Sequence, residues 1–110
     1  RRTIAAQYAE GLEGTDMAPG AAEGVEHVYH LYVVRSGARD ELAARLKERG
    51  IATGLHYPVP IHLQEAYQYL GLKAGDFPEA ERACREVLSL PMFPGMSEQE
   101  VEAVVAAVRA

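Results

Sequence analysis

Tryptophan is absent from the 110 residues, and cysteine occurs once, at Cys84. A lone cysteine excludes an internal disulfide and fits a reducing, cytoplasmic setting. No apolar run reaches the length of a membrane span, and no signal-peptide pattern is present. Lysine is scarce as well. Lys47 falls on a helix face and Lys73 in a loop, so both are expected to face solvent. Neither has the buried setting in which an amine becomes a nucleophile at neutral pH. Positive charge is diluted throughout: the net charge is −5, and the arginines are interleaved with acids. That excludes a phosphate-tracking, nucleic-acid-binding surface. There is no Gly-rich phosphate loop, nucleophile elbow or Ser/His/Asp arrangement. The length allows one domain with a modest core.

The stretch Thr53 to Gln64 stands out against this background. It holds two of the four histidines and two of the six prolines, with Tyr57 between them. A core strand would not carry the prolines, and a helix could not contain both. The expectation is a short strand from roughly Thr53 to Tyr57, stopped by Pro58, then a rigid Pro-x-Pro turn. A helix is expected to open near His62. Strand ends followed by stiff loops commonly present side chains to ligands.

The chain opens at Arg1 without an initiator Met and already in helical register, with Ile4, Tyr8 and Leu12 on one stripe. This beginning is read as that of a fragment. Residues Glu13 to Glu26 read as loop. Val28 to Val34 is the strongest strand, placing Tyr29, Leu31 and Val33 on one face and Val28, His30, Tyr32 and Val34 on the other. Asp40 is expected to cap a helix carrying Leu42 and Leu46, which Gly50 ends. The helix from His62 should turn Leu63, Ala66, Tyr67 and Leu70 inward and stop at Gly71. Asp76-Phe77-Pro78-Glu79 has the form of a capping box, opening a helix that buries Ala80, Ala83 or Cys84, and Val87. Val87 to Leu90 is a third strand, ended by Pro91. Ser97 to Glu100 is a second capping box, before a helix striped by Val101, Val104, Val105 and Val108. The sum is an α+β fold: a small three-stranded sheet, antiparallel or mixed, with helices on one face. Its other face is then left bare.

The histidines do not make a metal site. His27 and His30 point to opposite sides of a strand, and the Pro-x-Pro turn separates His56 from His62. A strand histidine such as His30 is ordinarily a packing residue, and His62 could simply bond its loop. His56, at a strand end, is the better functional candidate, and Tyr57 can offer its hydroxyl. Cys84 reads as a small inert hydrophobe. The acids Glu79, Glu81, Glu98 and Glu100 suit helix starts. No complete active site emerges, so a catalytic residue is assigned nowhere in the chain.

These residues resemble a known family. His27 to Arg35, Arg39-Asp40 with Leu42, Gly50 to Gly54, His56-Tyr57-Pro58-Val59-Pro60-Ile61-His62-Leu63-Gln64 with Ala66-Tyr67, Gly75 to Pro78, Glu81, and Glu86 to Met92 fall in its order and spacing. The chain is similar to the C-terminal small domain of the DegT/DnrJ/EryC1/StrS sugar aminotransferases. The resemblance implies residues 27–110 as that small domain and 1–26 as a linker helix and loop running in from a large domain. It implies the small domain of a fold-type I pyridoxal-phosphate enzyme, which moves an amino group, usually from glutamate, onto a nucleotide-linked keto sugar. Such enzymes are cytoplasmic homodimers, and their lysine, pyridine-pairing acid and most phosphate ligands lie in the large domain. No cofactor is therefore expected on this chain alone. His56 and Tyr57, with His30 and His62, would line the sugar-nucleotide side of the cleft. Residues Gly14 to Glu26 align with no motif of the family. The rival is a non-catalytic, ligand-binding regulatory domain of the ACT kind. An isolated aminotransferase domain should expose an apolar face together with the Ile4/Tyr8/Leu12 stripe, which separates the two.

Overall fold

A computed structural model describes all residues, 1–110. Its elements run in the order α1 (Arg2–Gly11), β1 (Tyr32–Arg35), α2 (Arg39–Glu48), α3 (Pro78–Glu86), β2 (Val87–Leu90) and α4 (Glu98–Arg109). Two 3-10 turns, Ile61–Leu63 and Glu65–Leu70, lie between α2 and α3.

The fold is α+β, with a two-stranded antiparallel sheet in place of the expected three strands. The register pairs Tyr32 with Leu90, Val33 with Ser89, Val34 with Leu88 and Arg35 with Val87. Alternation turns Tyr32, Val34, Leu88 and Leu90 inward, and all four are buried. The core is completed by Ile4, Ala5, Tyr8 and Leu12, by Leu42 and Leu46 of α2, and by Met96, Val101, Val104, Ala107 and Val108. The capping box at Ser97 forms as expected: Glu100 N donates to Ser97 Oγ at 3.2 Å and Ser97 N donates to Glu100 Oε2 at 2.7 Å.

Helix α1 belongs to this core. Its Ile4/Tyr8/Leu12 stripe was expected to lie open, and instead it is buried against α4. The Tyr8 hydroxyl donates to Pro91 O at 2.6 Å, and Arg109 Nε donates to Gly11 O at 2.6 Å. The stripe finds its partner within the chain.

Other departures concern the extent of strands and helices. Strand β1 begins only at Tyr32: the next pair of its ladder would join His30 to Met92, and the carbonyls of both accept from Arg1 Nη1 instead, at 2.9 and 3.5 Å. Tyr29 takes φ 48 and stacks on His27 instead of extending a ladder. The strand expected at Thr53 to Tyr57 is one bridge, Gly54 to Ser89. After it the chain turns so that His56 folds back over Gly54, which is incompatible with further extension. The helix expected from His62 breaks at Gln64, an extended residue, into the two 3-10 turns. Ala66, Tyr67 and Leu70 are exposed, since no element of the chain covers them. Gly71 does end the second turn, in the left-handed region at φ 71.

Neither Asp40 nor Asp76 caps a helix. Asp40 sits in the first turn of α2 beside Arg39, and Ser36 Oγ accepts from Ala38 N at 3.1 Å. Asp76 accepts from Lys73 N at 2.8 Å, leaving Phe77 as the first residue before α3. No residue of α3 is buried, Ala80 included; its half-buried Ala83 and Cys84 turn toward a groove. No helix is long and apolar enough to cross a membrane.

Candidate functional site

The Pro-x-Pro segment and α3 enclose an apolar groove of about 550 Å³, walled by Tyr57, Ile61, His62, Leu72, Phe77 and Cys84 among others. Pro58 and Pro60 fix φ at two points of the segment, which stiffens this wall. Tyr57 and Ile61 are each 69% exposed, and Phe77 and Leu72 are also open to solvent. Large apolar side chains gathered in one place and left wet are characteristic of a surface that meets a partner or ligand.

His56 stands beside this groove, next to Tyr57, whose ring it meets edge-on at 5.3 Å between centroids. The peptide bond between them is cis. His56 Nδ1 lies 2.8 Å from Ser89 Oγ, while Nε2 makes no bond within the chain. The histidine is exposed and Ser89 is buried, so a strand residue anchors a solvent-facing imidazole.

His62 has a different place. It is 8% exposed, and its Nε2 lies 2.9 Å from Glu81 Oε1, with Phe77 edge-on at 4.9 Å. Glu81 also accepts from Gly75 N at 2.7 Å. The His62 hydrogen bond, followed by that from Gly75, holds the Glu81 carboxyl below its ordinary range. This pair ties the Pro-x-Pro segment and the loop before α3 to α3 itself, so His62 shapes the groove. His30 is not among the groove residues. It is exposed just ahead of β1, and its carbonyl accepts from Arg1 at 2.9 Å.

No three His, Cys, Asp or Glu side chains converge as a cation site. The residues present also fail to make a pyridoxal-phosphate site. The Lys73 side chain is 80% exposed and paired with Asp76, and Lys47 is exposed on α2. An imine-forming lysine needs a desolvated amine.

Sequence reasoning missed Gly54, Ser89 and Glu81. Ser89 carried a signal, as the one polar residue inside Val87-Leu88-Ser89-Leu90.

The DegT/DnrJ/EryC1/StrS aminotransferase family model matches residues 1–109, and the chain belongs to this family. It is 48% identical over 96% of its length to a pleiotropic regulatory protein of Geobacillus stearothermophilus. It is 42% identical over 99% of its length to dTDP-3-amino-3,4,6-trideoxy-alpha-D-glucose transaminase of Streptomyces venezuelae. The crystal structure of S. venezuelae DesV with a ketimine intermediate superposes with a TM-score of 0.93, at 42% identity over 98% of this chain. The chain spans about 30% of the length of these relatives.

Proposed function

We propose that this chain is the C-terminal, substrate-facing part of a pyridoxal-phosphate-dependent aminotransferase acting on nucleotide-linked keto sugars, and that it is inactive alone. One observation carries the reading. The chain displays His56 and Tyr57 at the rim of an open apolar groove while both of its lysines lie in solvent. It offers a wall for a ligand and no attachment for a cofactor.

Family membership favours this reading over a regulatory ligand-binding domain, and the transaminase name of the S. venezuelae relative supports the sugar substrate. In this reading His56 donates a hydrogen bond to a substrate oxygen, and Tyr57 and Ile61 cover the apolar side of the cleft. His62 holds the wall in shape. His30 lies outside the groove lining and would face the sugar nucleotide only where the cleft is completed by the large domain. A preceding large domain supplies the lysine, the acid that pairs with the pyridine nitrogen and the phosphate ligands. The working enzyme is a cytoplasmic homodimer that takes its amino group from glutamate.

The test is to incubate the isolated chain with pyridoxal phosphate, reduce with borohydride and map adducts by mass spectrometry. The expected result is no site-selective adduct. Stoichiometric trapping on Lys47 or Lys73 overturns the inactive-alone reading.

A further inference from the structure

We propose that Ser89 is a positioning residue that presents His56 as an outward-facing Nε2–H donor, with Gly54 supplying the space the ring needs. The inference deepens the substrate-facing role proposed for His56 and takes its ligand-side meaning from that role.

Ser89 Oγ and His56 Nδ1 are 2.8 Å apart, and two proton arrangements fit that distance. If Nδ1 carried the hydrogen and donated to Oγ, the hydroxyl hydrogen of a residue only 4% exposed would need another acceptor. The Ser89 side chain makes no other hydrogen bond. The reverse arrangement leaves nothing unpaired. Ser89 O–H donates to Nδ1, and the neutral ring then carries its hydrogen on Nε2, which is unbonded within the chain. The buried partner therefore selects the tautomer of the exposed one.

The backbone supports the same geometry. Gly54 N donates to Ser89 O at 3.0 Å and Ser89 N donates to Gly54 O at 2.8 Å. This bridge locks together the two residues that hold the ring. A Cβ on Gly54 would lie 2.6 Å from His56 Cε1, so the ring occupies the space of the absent side chain. A residue larger than glycine must push the imidazole away from Ser89. An Nε2–H donor held in this way recognises acceptor oxygens, such as phosphoryl, carbonyl or hydroxyl oxygens. It disfavours ligands that present an N–H or ammonium group at the same place.

The test reads imidazole nitrogens in the 15N-labelled chain, on the alkaline side of histidine titration and with no ligand added. Two internal references are available. His27 Nδ1 accepts from Tyr29 N at 2.8 Å, which places its own hydrogen on Nε2. The exposed His30 side chain makes no hydrogen bond and reports an unbiased tautomer mixture. The expected result is a single Nε2–H tautomer for His56, matching His27. Ser89→Ala and Gly54→Ala should each shift His56 to the His30 pattern, the latter with the serine intact. A hydrogen on Nδ1 in the unsubstituted protein overturns the proposal. So does a His56 pattern unchanged in both variants. Because no substrate is involved, an incorrect ligand role for His56 leaves this outcome unaffected and shows instead in steady-state kinetics. If one variant fails to fold, the other variant and the unsubstituted chain still decide.

Discussion

Replacing Gly11 with alanine tests whether α1 is seated on α4 as closely as the structure has it. Gly11 is the last residue of α1, and a Cβ there would lie 2.7 and 2.8 Å from the two Val105 methyl groups. Valine is stiff about χ1, and both of its methyls already face the glycine, so rotation offers no escape. Overpacking of this kind costs about 1–3 kcal/mol, through shifted backbone or strained rotamers. Opposing it, the change from glycine to alanine restricts the unfolded chain and returns roughly 0.4–1 kcal/mol. The clash wins, and Gly11→Ala should destabilise by about 1 kcal/mol or slightly more. For a domain of this size that lowers Tm by about 4–5 °C in a thermal melt. In a Val105→Ala background the same substitution should become neutral or stabilising, because the obstructing methyls are gone. A rise in Tm for Gly11→Ala in the otherwise unsubstituted chain would refute the close packing of the two helices.

Tyr32→Phe should raise the urea midpoint by an amount worth up to about 1 kcal/mol, because the buried Tyr32 hydroxyl has no partner to lose. A lowered midpoint would mean the hydroxyl is bonded in solution. Burial, then the neighbouring Tyr29, pushes the Tyr32 pKa from 10.0 up to about 12, and burial raises that of Tyr8 as well. These phenols stay neutral in the folded state while the unfolded chain ionises near 10. Stability is thus complete below about pH 10 and is lost as pH rises through the folded values. Urea midpoints that stay level between about pH 9 and 11 contradict this. Glu81→Ala should release the loop before α3, seen as several-fold faster amide exchange at Gly75, with the Ser97 cap unaffected. The same loosening is expected in the unsubstituted chain as pH falls below 4.5 through the depressed pKa of Glu81. Unchanged Gly75 exchange in both experiments would remove Glu81 as the tie.

What could be read from the sequence was what neighbours in the chain decide. The Ser97/Glu100 box and the Val101/Val104/Val108 stripe act within one or two helical turns, and both formed. Strand β2 was legible residue for residue, since Pro91 stops it and its partners are apolar. The misreadings involve partners far away along the chain. Nothing near Val28 says that Arg1 will take the His30 and Met92 carbonyls, where the ladder of β1 would have continued. Tyr67 and Leu70 carry a helical apolar pattern, but no face of this chain receives it. The acids of Asp40 and Asp76 had several donors within reach, and local spacing could not choose among them.

The site divides in the same way. Two prolines in so short a run mark the segment around His56 and Tyr57 as a stiff turn that breaks regular structure, and both residues are exposed there. The hydrogen-bond partner of His56 lies 33 residues away at Ser89, and that of His62 lies 19 residues away at Glu81. Their pairing follows from the bridge at Gly54 and the seat of α3, which are tertiary facts. The exposed turn that carries the two histidines was therefore legible, and the difference between their surroundings was not.

The central claim is that this chain forms the substrate wall of an amino-transfer enzyme whose cofactor is held elsewhere. Its most direct measurement is steady-state kinetics of His56→Ala in the full-length parent, with cofactor content measured alongside. Loss of one hydrogen bond to the substrate is worth about 1–1.5 kcal/mol, so the KM for the nucleotide sugar should rise about tenfold. Bound pyridoxal phosphate should be unchanged. An unaltered sugar KM, or a variant that no longer retains the cofactor, would contradict the account.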